Sequence, residues 1–232
     1  MPASPGFPDY LRQLWSEVGH LGRHARSVAG ERWRVIVAVV LGVAILDLAI
    51  WPFEMDWLRA VQGSGNPTLR WIAKQISFWG DFHTGTLILT LTLALAGFAW
   101  RRERVRRAAV ACLMAAALAG IFTDLFRFGL GRARPNSGLP DGFYGLRAQS
   151  KFHGFPSGHT TTAFATALPL AMLFPPAAVP AVALAASVGW SRMYLNYHRP
   201  TDVVAGAAVG TVFGAAFGAA ARRRPLAEAR LA

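Results

Sequence analysis

The sequence has few charged residues and almost no cysteine. Only 16% of its 232 residues are charged and 53% are hydrophobic, with a mean hydropathy of +0.33. Soluble domains carry about 25% charged residues. The single cysteine, Cys112, excludes an intramolecular disulfide and a cysteine-rich metal site. This composition excludes a disordered chain and a secreted disulfide scaffold, and it disfavours a soluble enzyme.

Acidic residues are also scarce, and the 24 lysines and arginines against 12 acidic residues give a net charge of +12. A nucleic-acid-binding protein gathers such charge into one basic patch or stripe. Here the basic residues form clusters between long apolar stretches, a pattern typical of the loops of membrane proteins. We therefore predict an integral membrane protein that does not bind nucleic acid.

The apolar stretches have the length of membrane-spanning helices. A bilayer core of about 30 Å needs about 20 mostly apolar residues per helix. The six predicted spans are 33–51, 84–100, 108–126, 158–176, 177–194 and 203–221. Pro175 and Pro176 separate the fourth span from the fifth, which predicts a tight helical hairpin. The predicted fold class is all-α, a six-span transmembrane helical bundle.

The N-terminal residues have a different pattern. Residues 10–22 place apolar side chains on one helical face and Glu17 elsewhere, which predicts an N-terminal interfacial helix in the headgroup layer. We therefore divide the chain into a cytoplasmic N-terminal amphipathic segment, a six-span domain and a cytoplasmic tail. These parts are residues 1–32, 33–221 and 222–232.

Two arginine clusters predict the orientation in the membrane. They are residues 101–107 and 222–224, and both face the cytoplasm if the N-terminus does. In that orientation the cytoplasmic segments carry 14 of the 24 lysines and arginines. Both termini are then cytoplasmic, and residues 127–157 and 191–202 lie on the opposite side.

The last predicted span carries a glycine repeat. Its glycines recur every four residues at Gly206, Gly210, Gly214 and Gly218. Such a stripe lets a neighbouring helix approach closely. We expect this contact within the chain rather than in a dimer.

Polar clusters at the non-cytoplasmic ends of the spans predict a phosphate site. Three of their residues are arginines, whose planar cations suit phosphate oxygens. They are Arg127, Arg134 and Arg192. Ser157 occupies a helix N-cap position, so that the amides of Gly158 and His159 point out of a helix N-terminus and form an anion site.

Two histidines supply the predicted chemistry. His198 precedes Pro200, which suits the first turn of the sixth span, and Asp202 in that turn can reach the imidazole and fix its tautomer. His159 is a second imidazole that can give and take a proton. A cationic phosphate site with an oriented nucleophile and an acid–base group predicts phosphoryl transfer without a metal or another cofactor.

The spacing of these residues resembles a known family. Arg-x6-Arg-Pro, Pro-Ser-Gly-His and Ser-Arg-x5-His-x3-Asp, from Arg127 to Asp202, are similar to the three-part signature of the type 2 phosphatidic acid phosphatase superfamily. That superfamily also contains vanadium haloperoxidases and bacterial acid phosphatases. Its first motif usually opens with lysine. Here Arg127 keeps the positive charge.

The resemblance implies a role for each matched residue. His198 would be the nucleophile that forms a phosphohistidine, Asp202 would orient it, and His159 would protonate the leaving oxygen and then activate water. The groups that hold the phosphate would be Arg127, Arg134, Ser157, Gly158 and Arg192.

We therefore expect an integral-membrane lipid phosphatase of a bacterial inner membrane, with its active site on the periplasmic side. The expected substrate is a lipid phosphomonoester or diphosphate: undecaprenyl diphosphate, phosphatidylglycerol phosphate, phosphatidic acid or a lipid A phosphate. Two alternatives are a lipid phosphotransferase with the same phosphohistidine and a non-catalytic membrane protein that binds anionic lipid. The sequence leaves the oligomeric state open.

Some polar residues lie near the site without an assigned catalytic role. Asp124, one turn before Arg127, is expected to pair with it. Asp81 is given no direct role, and the role of Asp47 in the first span is open. The loop 136–155 is either a lid or rim for the substrate or a simple connection.

Overall fold

The structure is a computed structural model that describes residues 6–63 and 65–223, and its regular elements within these residues are helical. The α-helices are α1 (Phe7–Glu31), α2 (Trp33–Ile50), α3 (Glu54–Gln62), α4 (Pro67–Phe78), α5 (Leu87–Ala99), α6 (Glu103–Leu130), α7 (Gly158–Leu173), α8 (Ala178–Tyr194) and α9 (Pro200–Arg222). The all-α prediction is confirmed for this part of the chain.

Several of these helices can cross a membrane. In the described residues, four helical stretches are long and apolar enough: Trp33–Gln62, Phe82–Ala99, Glu103–Leu130 and Pro200–Arg222. The predicted fourth and fifth spans form α7 and α8, with 16 and 17 residues. They are shorter than the about 20 residues that a bilayer core requires. The break at Pro175 is confirmed, and the six-span arrangement stays a prediction.

The glycine repeat packs α9 against α7. A Cβ atom on Gly206 would lie 2.6 Å from the Ser157 carbonyl oxygen, and one on Gly214 would lie 2.8 Å from Leu168 Cβ. Both distances are below ordinary contact, so only glycine permits this approach. The predicted contact within the chain is confirmed, and it brings the first turns of the two helices together.

The N-terminal helix α1 lies against α6 and α9. Leu21 and Ala25 are buried in the core that these helices share. Glu17 is buried as well, 3.4 Å from a guanidinium nitrogen of both Arg106 and Arg107. The prediction that Glu17 faces away from the apolar side was wrong, because two arginines of α6 compensate its charge there. The predicted position of α1 in the headgroup layer stays a prediction, as does the three-part division of the chain. Residues 224–232 of its proposed tail lie outside the described residues.

The connection between α6 and α7 folds back on itself through backbone hydrogen bonds. The Ala133 N–H donates to the Gly142 carbonyl at 3.1 Å, and the Arg134 N–H donates to the Lys151 carbonyl at 2.9 Å. The Gly154 N–H then donates to the Arg132 carbonyl at 2.9 Å. These bonds fix the end of the loop beside the helix ends that carry the predicted site.

Candidate active site

The predicted site residues come together where α6 and α8 end and α7 and α9 begin. The Ser157 N–H donates to the Asp202 carbonyl at 2.9 Å, which joins the starts of α7 and α9. The Arg127 guanidinium lies against Gly158, where an added Cβ would be 2.6 Å from a guanidinium nitrogen. A side chain at position 158 would therefore push this guanidinium away from the N-terminus of α7.

His198 lies at the centre of this arrangement and is completely buried. Its Nδ1 is 2.7 Å from the Gly154 carbonyl oxygen, so Nδ1 carries the proton and donates it. Nε2 is buried and has no hydrogen-bond partner in the described residues. Burial, together with the charges of Arg127, Arg192 and Arg134, holds the pKa of His198 well below its usual value. The imidazole is therefore neutral at pH 7, with a free lone pair on Nε2.

Asp202 lies beside His198, but the direct hydrogen bond expected from the sequence is not formed. Asp202 Oδ2 is 3.6 Å from His198 Nδ1. That oxygen accepts a hydrogen bond from the Arg199 N–H at 2.8 Å, and Oδ1 accepts one from Arg132 Nη1 at 2.7 Å. The Gly154 carbonyl, rather than the Asp202 carboxylate, thus fixes the tautomer in this structure.

A buried ion network stands behind Asp202, and sequence reasoning missed it. Arg132 is fully buried and donates to Asp202, to Thr201 Oγ1 at 2.7 Å and to Glu54 Oε1 at 2.5 Å. Its Cζ lies 4.2 Å from the centroid of the Trp51 ring. In the sequence, Glu54 is visible only as a charged residue next to an apolar stretch. No sequence pattern pairs it with Arg132.

Each of the three arginines assigned to phosphate uses only some of its N–H donors in hydrogen bonds within the protein. Arg127 Nη1 donates to Asp124 at 3.1 Å, which confirms the predicted pair. Arg192 Nη1 donates to Ser77 Oγ at 2.6 Å, and Arg134 Nε donates to a loop carbonyl at 3.3 Å. A guanidinium has five N–H donors. Several donors on each residue therefore remain for a ligand.

The start of α7 carries the remaining predicted groups. Ser157 is the N-cap residue, but its side chain accepts a hydrogen bond from Thr160 Oγ1 at 2.9 Å and does not cap a backbone amide. His159 is partly open to solvent, with 28% of its side chain exposed, and its Nε2 is 3.6 Å from Asp81 Oδ2. Sequence reasoning gave Asp81 no direct role. The structure places its carboxylate beside the second histidine.

Three arginines thus surround a buried histidine whose Nε2 has no partner among the described residues, where several helices of a membrane-type bundle end. Such an arrangement is typical of a phosphatase that acts at a membrane. The chain belongs to the PAP2 superfamily, whose family model matches residues 108–225. This membership confirms the resemblance found in the sequence, and it places the chain with the membrane PAP2-type lipid phosphatases.

Three relatives illustrate the similarity. The chain is 27% identical to the lipid A 1-phosphatase of Rhizobium johnstonii over 219 residues, 88% of this chain and 87% of that protein. It is 37% identical to the decaprenylphosphoryl-5-phosphoribose phosphatase of Mycolicibacterium smegmatis over 152 residues, 64% of this chain and 78% of that protein. The crystal structure of a transmembrane PAP2-type phosphatidylglycerolphosphate phosphatase from Bacillus subtilis matches with a TM-score of 0.61 and 21% identity, over 77% of this chain and 91% of that chain. That last likeness concerns the fold alone.

Proposed function

We propose that this protein is a metal-independent lipid phosphatase that forms a phosphohistidine at His198. The observation that carries the proposal is the state of this side chain. It is a buried, neutral imidazole whose Nε2 has no partner among the residues that the structure describes, and the charges of three arginines act on it. A neutral imidazole nitrogen is a competent nucleophile. The guanidiniums supply the positive charge that other phosphoryl-transfer enzymes take from metal ions.

The proposed reaction has two steps at one phosphorus atom. His198 Nε2 attacks phosphorus, and the bond from phosphorus to the lipid oxygen breaks. His159, which enters this step protonated beside Asp81 and the anionic phosphate, gives the leaving oxygen its proton. A water molecule then attacks the phosphohistidine and loses a proton to His159, and inorganic phosphate leaves with regeneration of both histidines. The phosphate oxygens are held by the assigned donors, which are Arg127, Arg134, Arg192, Ser157 and the Gly158 amide.

The position of the site supports a lipid substrate. The residues assigned to phosphate lie at or near the ends of α6, α7 and α8, and α6 is long and apolar enough to cross a membrane. This position supports a phosphate group at the interface whose apolar part stays in the bilayer. Two of the three relatives named above are phosphatases of lipid A and of a decaprenylphosphoryl sugar. We place the site on the periplasmic side of a bacterial inner membrane, because the arginine clusters at 101–107 and 222–224 favour the cytoplasm.

The test is phosphate release by the purified protein from a panel of lipid mono- and diphosphates in excess EDTA. We expect the wild-type protein and a His24→Ala control to release inorganic phosphate, and His198→Ala to release none. His24 lies in α1, outside the site. Product that appears only with an acceptor lipid would show a phosphotransferase instead. Lipid binding without any product would show a non-catalytic protein. Either result would overturn the proposal.

A further inference from the structure

A groove of about 420 Å³ runs along α2, between α6 and α9. Its walls are almost entirely apolar, and they include Val40, Val43, Phe122, Phe126, Val209 and Phe213. Among the described residues that line it, Asp47 is the one ionisable side chain. Such a carboxyl group inside a membrane span is costly and marks a functional position.

The groove borders the phosphate site. Phe155 and Pro156 line it, and the Pro156 carbonyl accepts a hydrogen bond from Arg127 Nε at 2.9 Å. Along α2, the groove extends from Asp47, one turn before the end of the helix, to Ile36. At a rise of 1.5 Å per residue, this is about 17 Å of helix. A lipid whose phosphate lies at Arg127 can therefore place its apolar part in this groove.

The carboxylate of Asp47 is not satisfied by its neighbours. Asp47 Oδ1 is buried and has no hydrogen-bond partner among residues 6–63 and 65–223. The two terminal nitrogens of the buried Arg132 donate to Asp202, Thr201 and Glu54 rather than to Asp47. A buried acceptor without a donor costs free energy that a ligand donor can restore.

We propose that the groove holds the lipid part of the substrate, and that Asp47 accepts a hydrogen bond from a hydroxyl or amide N–H carried by that lipid close to its phosphate. This inference rests on the proposed function and narrows its substrate class. Acylated lipid phosphates with such a donor are preferred over polyprenyl phosphates, whose chains offer only C–H groups. A hydrogen bond to a buried acceptor that otherwise has no donor corresponds to a preference of about 10- to 100-fold.

Matched synthetic lipids test this donor requirement. The set consists of acylated sugar 1-phosphates in which the acyl chain is joined by an amide or by an ester, each with and without a hydroxyl group on the acyl chain. A polyprenyl phosphate is the donor-free reference. The readout is kcat/KM for phosphate release by the wild-type protein, Asp47→Leu and Asp47→Asn. Asp56→Leu is the matched control, because Asp56 is an exposed acid that pairs with Arg59 outside the groove.

Of the two donors, the amide N–H and the hydroxyl, one should be the donor that Asp47 uses. We expect the wild-type protein and Asp56→Leu to lose about 10- to 100-fold in kcat/KM when that donor is removed from the lipid. Asp47→Leu should lose this discrimination, and Asp47→Asn, which keeps a carbonyl acceptor, should retain part of it. Discrimination that survives in Asp47→Leu, or equal rates of the wild-type protein on all lipids, would overturn the inference and leave the phosphatase proposal standing. Absence of phosphate release by the wild-type protein from every lipid would overturn both.

Discussion

The buried network around Arg132 gives the most demanding test of the structure. Replacing Arg132 with leucine removes the cation between Asp202 and Glu54, whose side chains are 0% and 2% exposed. Breaking a buried pair in this way leaves uncompensated buried charge and costs about 3–5 kcal/mol. We therefore expect Arg132→Leu to lower the free energy of unfolding by about this amount.

A double-mutant cycle separates the ion pair from other effects. The double variant Arg132→Leu/Glu54→Leu also removes Glu54. Of the two buried carboxylates that pair with Arg132, only that of Asp202 then remains. The double variant should therefore lose about 1–3 kcal/mol less than the sum of the two single variants. The matched surface control is Arg59→Leu, since Arg59 and its partner Asp56 are 71% and 73% exposed. That control should show no measurable cost.

The assay is unfolding in mixed micelles with increasing SDS, followed by the fluorescence of the 8 tryptophans. One of them, Trp51, lies directly against the Arg132 guanidinium and reports on the network. If Arg132→Leu is no less stable than Arg59→Leu, or if the losses in the cycle simply add, the buried network described here is wrong.

Three further predictions concern orientation, metal dependence and the second histidine. In intact cells with a Cys112→Ala background, an impermeant thiol reagent should label a cysteine placed at Ser137 and not one placed at Arg223; labelling of position 223 alone would reverse the orientation. Activity should survive excess EDTA and be inhibited by vanadate, which mimics five-coordinate phosphorus; a loss that magnesium restores would contradict metal independence. In single-turnover experiments, His159→Ala should slow phosphorylation of the enzyme more with lipid monophosphates than with diphosphates, because an alkoxide needs a proton to leave and a phosphate does not. With diphosphates, phosphohistidine should accumulate. An equal loss on both substrate classes, with no accumulated intermediate, would assign His159 to binding alone.

Local patterns in the sequence were enough to predict the longer helices and several residues that the fold brings together at the helix ends. The proline pair at Pro175 ends a helix whatever its surroundings, and the four-residue spacing from Gly206 forms a stripe on any helix. The Asp124–Arg127 pair is one helical turn apart and forms as expected. Each of these predictions depends on the spacing of residues within one element of secondary structure.

Contacts between distant segments escaped prediction. Glu54 meets Arg132 from 78 positions away, and Glu17 meets Arg106 from 89 positions away. In both cases a charge is buried because its partner arrives on another helix, which periodicity within one helix does not reveal. The partner of the His198 ring was missed for a related reason, since any residue has a backbone carbonyl and only the folded loop brings that of Gly154 to Nδ1.

Direct identification of the phosphorylated residue tests the central claim most directly. The purified protein would be mixed with a lipid phosphate labelled with ³²P, quenched in alkali because phosphohistidine is labile to acid, digested, and analysed by mass spectrometry. We predict a transient phosphoryl group on the peptide that carries His198, present in a His24→Ala control and absent from His198→Ala. A phosphoenzyme that still forms in the His198→Ala protein, or label on any other residue of the wild-type protein, would contradict it.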